Sequence, residues 1–123
     1  MLNKNKVILL CDFSTEIDKE TLDRKKVLQN VRMVIGEKSL VGVQTQQLAQ
    51  VQNMNFEYSI VVRRLFYDKQ TFLFIDNQLY KIMSITPAKS DNYCKLNVQR
   101  ENNEDLVKAI NEYFAKVNND TNL

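Results

Sequence analysis

Residues 56–100 read FEYSIVVRRLFYDKQTFLFIDNQLYKIMSITPAKSDNYCKLNVQR, and their alternation decides the fold class. Phe56, Tyr58, Ile60, Val62 and Phe66 fall on one face of a strand, which indicates that this face is buried. Asp76 and Asn77 fit a tight hairpin turn because both tolerate left-handed backbone. In the last strand we expect Cys94, Leu96 and Val98 to point inward and Lys95, Asn97 and Gln99 outward. The stretch predicts an antiparallel meander with strands at 56–66, 71–75, 78–86 and 93–100.

The N-terminal half continues this pattern less regularly. Residues 6–13 are rich in large apolar side chains and predict a first strand, and residues 14–24 predict a loop or single helical turn. Residues 25–35 predict a second strand from Val27, Val31, Met33 and Ile35, which ends at Gly36, where positive φ is easiest. The glutamine-rich residues 37–55 predict a loop that runs into a short helix, as a solvated crossover or as a protruding binding loop.

A helix is predicted at the C-terminal end. Asn103 is a suitable N-cap, and acids follow it in the first turn, where they favour the helix dipole. Apolar residues then recur every three or four positions, and one side of the helix must be buried. We expect that side to pack on the sheet of the same chain, with a partner subunit as the alternative. These apolar residues are Leu106, Val107, Ile110, Phe114 and Val117.

Together these elements predict one mainly β domain over residues 1–123. We expect a small antiparallel β-barrel-like domain with a short internal helix and a C-terminal α-helix. Residues 1–5 and 118–123 are expected to be flexible tails. At 123 residues the chain has room for one hydrophobic core.

Composition argues against several function classes. The chain has no histidine, two glycines and two distant cysteines, Cys11 and Cys94. We therefore expect no catalytic residue, no metal site and no cofactor, and we expect both cysteines to be buried and unpaired. No secretion signal and no apolar run of about 20 residues is present, so no membrane partner is expected. The net charge of +2 indicates no partner class. These features favour binding or assembly over catalysis.

One set of residues suggests contact with nucleic acid. Arg63 and Arg64 lie near Phe66, Tyr67 and Tyr80, and basic and aromatic residues on strands are typical of surfaces that bind single strands. Aromatic residues of a meander also form its core, and that interpretation is the stronger one.

The order of elements resembles the head-closure, or stopper, proteins of long-tailed bacteriophages. The resemblance covers about residues 6–100. It rests on a strand containing Val31, the segment EKS (37–39), a helix near 45–50, the strand 56–66, the hairpin IDNQLYKI (75–82) and LNV (96–98). The chain departs from the family pattern at Asn77, where glycine is usual, and at 46–48, where QQL replaces Glu-Phe-Tyr. The C-terminal helix lies beyond the recognised part.

The resemblance implies a structural virion protein that assembles in the host bacterial cytoplasm. Its subunits are expected to form a six- or twelve-fold ring in the phage neck, with the portal or adaptor above and a tail protein below. The ring closes the channel on packaged double-stranded DNA and provides the surface for tail attachment. A loop lines or plugs this channel by steric closure, with Lys38 as its cation nearest to DNA. The corresponding residues here are Glu37, Lys38, Ser39, Leu40, Val41, Gly42 and Val43.

Three alternatives stay open at this stage. The chain could be a different neck or tail-completion protein of a phage, or a small nucleic-acid-binding β module that uses Arg63, Arg64, Tyr67 and Tyr80. It could also be an adaptor that docks a partner through its C-terminal helix.

Overall fold

The computed structural model describes residues 5–39, 47, 50, 56–88 and 90–121, with side chains as far as residue 118. Six strands and one long helix make up this part of the chain. They are β1 (Asn5–Ile17), β2 (Arg24–Ser39), β3 (Tyr58–Arg63), β4 (Phe72–Ile75), β5 (Gln78–Pro87), β6 (Tyr93–Arg100) and α1 (Glu104–Thr121). A single turn of 3-10 helix, Arg64–Phe66, follows β3. The mainly β class expected from the sequence is confirmed.

The strands form one closed antiparallel sheet. Its order is β1-β2-β3-β6-β5-β4, and β4 pairs with β1 to complete the circuit through Leu9↔Phe74 and Leu10↔Leu73. Asp76 and Asn77 make the predicted tight turn between β4 and β5, both at positive φ. Inside the sheet lies an apolar core with contributions from all six strands. Its buried members are Ile8, Leu10, Val34, Ile60, Val62, Leu73, Ile75, Tyr80, Cys94, Leu96 and Val98.

The expected loop at residues 14–24 is shorter than predicted, because residues 14–17 and 24 belong to strands. β1 and β2 form a long hairpin whose ladder continues past a bulge after Leu10 to the pair Ile17↔Arg24. The turn itself occupies residues 18–23, where the Asp18 carboxylate accepts a hydrogen bond from the Glu20 backbone N–H at 2.8 Å. The prediction was right for residues 18–23 and wrong for residues 14–17 and 24, because cross-strand pairing stabilises polar residues in a ladder that their own strand propensity does not indicate.

Gly36 does not end β2 and has no positive φ. Its Cα faces the interior, where an added Cβ would lie 2.5 Å from Ile8 Cδ1 and 2.7 Å from the Val61 carbonyl oxygen. The glycine is therefore required by the close approach of three strands and not by a turn. β2 continues to Ser39, so the first three residues of the predicted gate loop belong to a strand.

Helix α1 packs on the outer face of the sheet in the same chain, as expected. Leu106 and Ile110 are buried with Leu9, Cys11 and Leu79 in a second apolar cluster. Phe74 and Phe114 contribute a tilted ring contact at 5.7 Å between centroids. Asn103 is the N-cap, because its Oδ1 accepts hydrogen bonds from the backbone N–H groups of Asp105 and Leu106.

The helix also includes residues 118–121, which the sequence analysis assigned to a flexible tail. No helix of the described chain is long and apolar enough to span a bilayer. Cys11 and Cys94 are both buried and unpaired, as predicted. They lie on opposite sides of the sheet, Cys11 under α1 and Cys94 in the interior, so no disulfide joins them.

Candidate functional site

The predicted gate loop leaves the sheet at the end of β2. Residues 37–39 are paired with β3 through Glu37↔Val61, Lys38↔Ile60 and Ser39↔Ser59, whereas residues 40–43 lie outside the described part of the chain. Gln47 and Gln50, which follow in the predicted short helix, are helical. The structure therefore gives the base of the loop, where β2 ends at Ser39.

Lys38 lies at this base and is held by two neighbours. Its Nζ lies 3.8 Å from the centre of the Tyr58 ring and 3.7 Å from Asp76 Oδ2. The side chain is only 23% exposed. Because Lys6 also reaches Asp76 at 2.9 Å, two cations share one carboxylate at the tip of the β4–β5 hairpin. These contacts hold the base of the loop against that hairpin. They bind the Lys38 ammonium group within the chain, whereas the sequence analysis expected this group to lie near DNA.

Ser39 is linked to a buried polar network on the outer face of the sheet. Its hydroxyl donates to the Ser59 carbonyl at 3.3 Å, and the Ser59 hydroxyl donates to Asn97 Oδ1 at 2.6 Å. Asn97 Nδ2 then donates to the hydroxyls of Ser84 and Thr86 at 3.1 and 3.2 Å. The network joins β3, β6 and β5 beside the end of β2, so it makes this region of the sheet rigid.

Asn97 is 1% exposed, although its alternating position predicted an outward, solvated side chain. The direction was right and the solvation was wrong. All buried side-chain polar atoms among the described residues have a hydrogen-bond partner. The network therefore offers no unsatisfied group to a ligand, and its role is structural.

The residues of the predicted nucleic-acid surface do not come together. Arg64 donates from Nε to the Asp91 carbonyl and from Nη2 to the Tyr93 carbonyl, which fixes it against the β5–β6 turn. Arg63 lies over the Phe66 ring at 5.9 Å. Tyr80 is only 2% exposed, and burial raises the pKa of its hydroxyl. A base cannot stack on Tyr80, so the four residues form no shared platform.

Tyr67, the fourth member of that set, packs against the interior core. Its hydroxyl donates to the Gln70 carbonyl at 2.8 Å, and burial raises its pKa. The tyrosine therefore closes the end of the sheet near the 3-10 turn. Tyr67 and Tyr80 thus belong to the core, which is the interpretation that the sequence analysis favoured, whereas Phe66 is 37% exposed.

An apolar surface that the sequence analysis missed lies on the outer face of β1, β2, β3 and β6. It forms a hollow of about 1210 Å³. Val7 and Ile35 are cross-strand partners there, 61% and 65% exposed, and Met33 is 52% exposed. Phe66 and Tyr93 extend the surface, each 37% exposed. Charged side chains at the edge are Arg32, Arg63, Lys95 and Glu37. We name these residues together the apolar hollow.

The signal for the apolar hollow was present in residues 31–35, which read VRMVI. Met33 and Ile35 were used only as the apolar pattern that predicts the second strand, and the structure shows that Val34 and Gly36 are the residues that face the interior and are buried. Apolar residues thus stand on both faces of β2. A strand with two apolar faces predicts that something covers the outer one.

Groups of three or more cysteine, aspartate or glutamate side chains suited to a metal ion do not occur in the described part of the chain. Burial raises the pKa of the Cys11 thiol to about 12. A thiol of this kind is protonated and inert at neutral pH.

No family model matches the chain, and no curated protein matches it significantly in sequence.

Proposed function

We propose that the chain is a structural subunit of a bacteriophage neck, in which a ring of copies closes the DNA channel below the portal or adaptor and carries the tail. The observation that supports this most is the long connection that leaves the sheet at the end of β2. A connection of 18 residues, 40–57, joins two adjacent antiparallel strands that a few residues could connect. The strands that carry it belong to a closed sheet, which is a rigid support for a projecting segment.

The contacts of Lys38 refine the mechanism. Because Lys38 is held by Tyr58 and Asp76, its main effect is to fix where the chain leaves the sheet. Closure of the channel then depends on the bulk of the segment after Ser39 and on the packing of neighbouring subunits. Contact with DNA in such a channel is made to the backbone and is independent of base sequence.

The experiment measures DNA retention by DNA-filled heads of the phage that carries this gene. Wild-type protein is added to heads that lack it, and released DNA is quantified by nuclease sensitivity. A variant in which a short Gly-Ser linker replaces residues 40–54 should bind the heads and fail to retain DNA. Lys38→Met should lose much less retention than the linker variant, because it loosens the base of the segment and leaves the bulk of the segment in place.

Two outcomes would overturn the proposal. Normal retention by the linker variant would show that the segment is not the plug. Failure of wild-type protein to bind heads or a portal–adaptor complex would remove the chain from the neck. Circular dichroism of each variant establishes that the sheet is intact before retention is scored.

A further inference from the structure

The tip of the β1–β2 hairpin exposes two large apolar side chains to solvent. Ile17 is 54% exposed and Leu22 is 74% exposed. Leu22 adopts a φ of 61°, a left-handed conformation that is costly for a bulky residue. Strained residues held in place by their surroundings are concentrated at functional sites. The tip therefore presents two apolar side chains to a partner in a strained but fixed arrangement.

Hydrogen bonds make the tip rigid. The Leu22 N–H donates to the Asp18 carbonyl at 2.7 Å, and the Asp18 N–H donates to the Asp23 carbonyl at 2.9 Å. Backbone N–H groups of Glu20 and Thr21 lower the pKa of the Asp18 carboxyl, so it stays charged at neutral pH. A rigid tip loses little conformational entropy when it binds.

The tip and the apolar hollow have opposite charge. The turn of the tip, residues 18–23, contains three carboxylates and one lysine, a net charge of −2, and Arg24 follows it as the cross-strand partner of Ile17. Arg32, Arg63 and Lys95 outnumber Glu37 around the hollow. Among the described residues no carboxylate forms an ion pair with any of these three cations. An acidic tip with apolar side chains therefore complements a basic hollow with apolar walls.

The tip cannot reach the hollow of its own chain. Arg24 lies at the tip end of β2, and Met33 in the hollow follows it by nine positions along the same strand. At about 3.3 Å per residue this distance is about 30 Å along a rigid ladder. Any contact between tip and hollow must therefore join two molecules.

We propose that the hairpin tip of one copy inserts Ile17 and Leu22 into the apolar hollow of the next copy. The contact is head-to-tail, because two different patches of the same chain meet, and repetition of such a contact generates a closed ring or an open chain. The inference rests on the proposed function in that it supplies the ring contact that this function requires. A contact through one hairpin tip belongs to the small, weak class of interfaces, and it forms fully when subunits are gathered on a template.

The test is sedimentation velocity of the purified full chain between about 10 µM and about 1 mM, the range of weak contacts. Wild type should show a sedimentation coefficient that rises with concentration. Leu22→Glu in the tip and Ile35→Glu in the hollow should each abolish the rise. Ile85→Glu is the matched control, because Ile85 is 49% exposed outside the hollow, and it should associate like wild type.

A mixture of the two defective variants distinguishes the tip-to-hollow contact from a symmetric contact, in which the same patch of both copies would meet. Each Leu22→Glu molecule keeps an intact hollow and each Ile35→Glu molecule keeps an intact tip. The mixture should therefore form dimers that do not grow further, although neither variant associates alone. A mixture that stays monomeric would overturn the proposal, as would a wild-type chain that stays monomeric to 1 mM. Retardation of such a monomeric chain by duplex DNA would assign the hollow to nucleic acid instead.

Failure of the ring contact and failure of the neck function are distinguishable. If the Leu22→Glu and Ile35→Glu variants still retain DNA in heads as wild type does, the contact is wrong and the neck function stands. If wild type associates as described and does not bind heads, the contact stands and the neck function is wrong.

Discussion

The outer face of β1 has two parts that differ in what covers them. Leu9 and Cys11 lie under helix α1 and are at most 1% exposed, whereas Val7, two residues before Leu9 on the same face, is 61% exposed. The side chains are similar in kind, so composition does not explain the difference. Within the described residues one long amphipathic helix, α1, packs on this face, and it covers the part nearest the hairpin tip. The other part has no cover within the described chain and is the apolar hollow.

The comparison separates two uses of apolar surface. Under α1, burial stabilises the fold, since each buried branched side chain contributes about 1.5–3 kcal/mol. In the hollow the same residue types contribute little to folding, because they remain in contact with water. They are available to stabilise an assembly. Substitutions on the two parts should therefore affect different measurements.

The largest expected effect is on the covered part. Ile110→Ala should lower the free energy of unfolding by about 3 kcal/mol, because Ile110 is fully buried between helix and sheet and its loss leaves a cavity. Ile35→Ala in the hollow should change it by less than about 0.5 kcal/mol, since Ile35 is 65% exposed. Urea unfolding of both variants measures the contrast. Equal effects would mean that the hollow is covered in the isolated chain.

A second effect is a dependence on alkaline pH that originates under the helix. Burial, and secondarily the charge of Asp12, raises the pKa of Cys11 from its ordinary value of 9.0 to about 12 in the folded chain. The folded thiol keeps its proton above pH 9 while the unfolded thiol loses it, so stability is full below pH 9 and falls as pH rises. By pH 11 the loss should be about 2–3 kcal/mol.

Urea unfolding at pH 8 and pH 11 tests this dependence, with Cys11→Ala as the comparison. Burial also raises the pKa values of Tyr67 and Tyr80, which lowers stability at high pH in both proteins alike. The difference between the two proteins in their loss from pH 8 to pH 11 therefore belongs to Cys11. Equal losses would show that the thiol is hydrated and that α1 does not seal the covered part.

Much of this fold follows from local patterns. The Asp76-Asn77 turn, the buried residues of β6 and the N-cap at Asn103 were predictable, because each depends on neighbours in sequence. The β1–β2 hairpin was not, since its polar residues are stabilised by pairing between strands. Gly36 was expected to end β2, and the reason why a glycine is required there was not predictable. The clash of a side chain with Ile8 and Val61 exists only when three strands meet.

The candidate surfaces were predictable only in part. The sequence placed Lys38 within the gate loop 37–43, whereas it lies in β2 and its contacts with Tyr58 and Asp76 join segments that are distant in sequence. The apolar hollow was missed because the apolar pattern of residues 25–35 was interpreted as a strand without asking which face it buries. Alternation gives two faces to a strand and does not tell which face points inward when both are apolar.

The smallest expected effect concerns the ion pair at the edge of the covered part. Lys25 Nζ lies 2.8 Å from Glu112 Oε2 and joins the hairpin to α1 in an exposed position. The hydrogen bond from Lys25 lowers the pKa of Glu112. In Lys25→Met this pKa should rise toward its ordinary value, as followed by NMR titration of the side-chain carboxyl. The urea midpoint should stay unchanged, because exposed ion pairs contribute little to stability.

Lys26→Met is the control for this titration, since Lys26 bonds to Thr15 and should leave Glu112 unaffected. A Glu112 pKa that does not respond to Lys25→Met would mean that the pair does not form in solution. A large fall in the urea midpoint would mean that the ion pair, and not apolar contact, holds α1 on the sheet. Salt would then weaken the cover over Leu9 and Cys11, and the distinction between the covered part and the hollow would depend on ionic strength. If the midpoint is unchanged, apolar contact alone divides the face into a part that folds the chain and a part left for assembly.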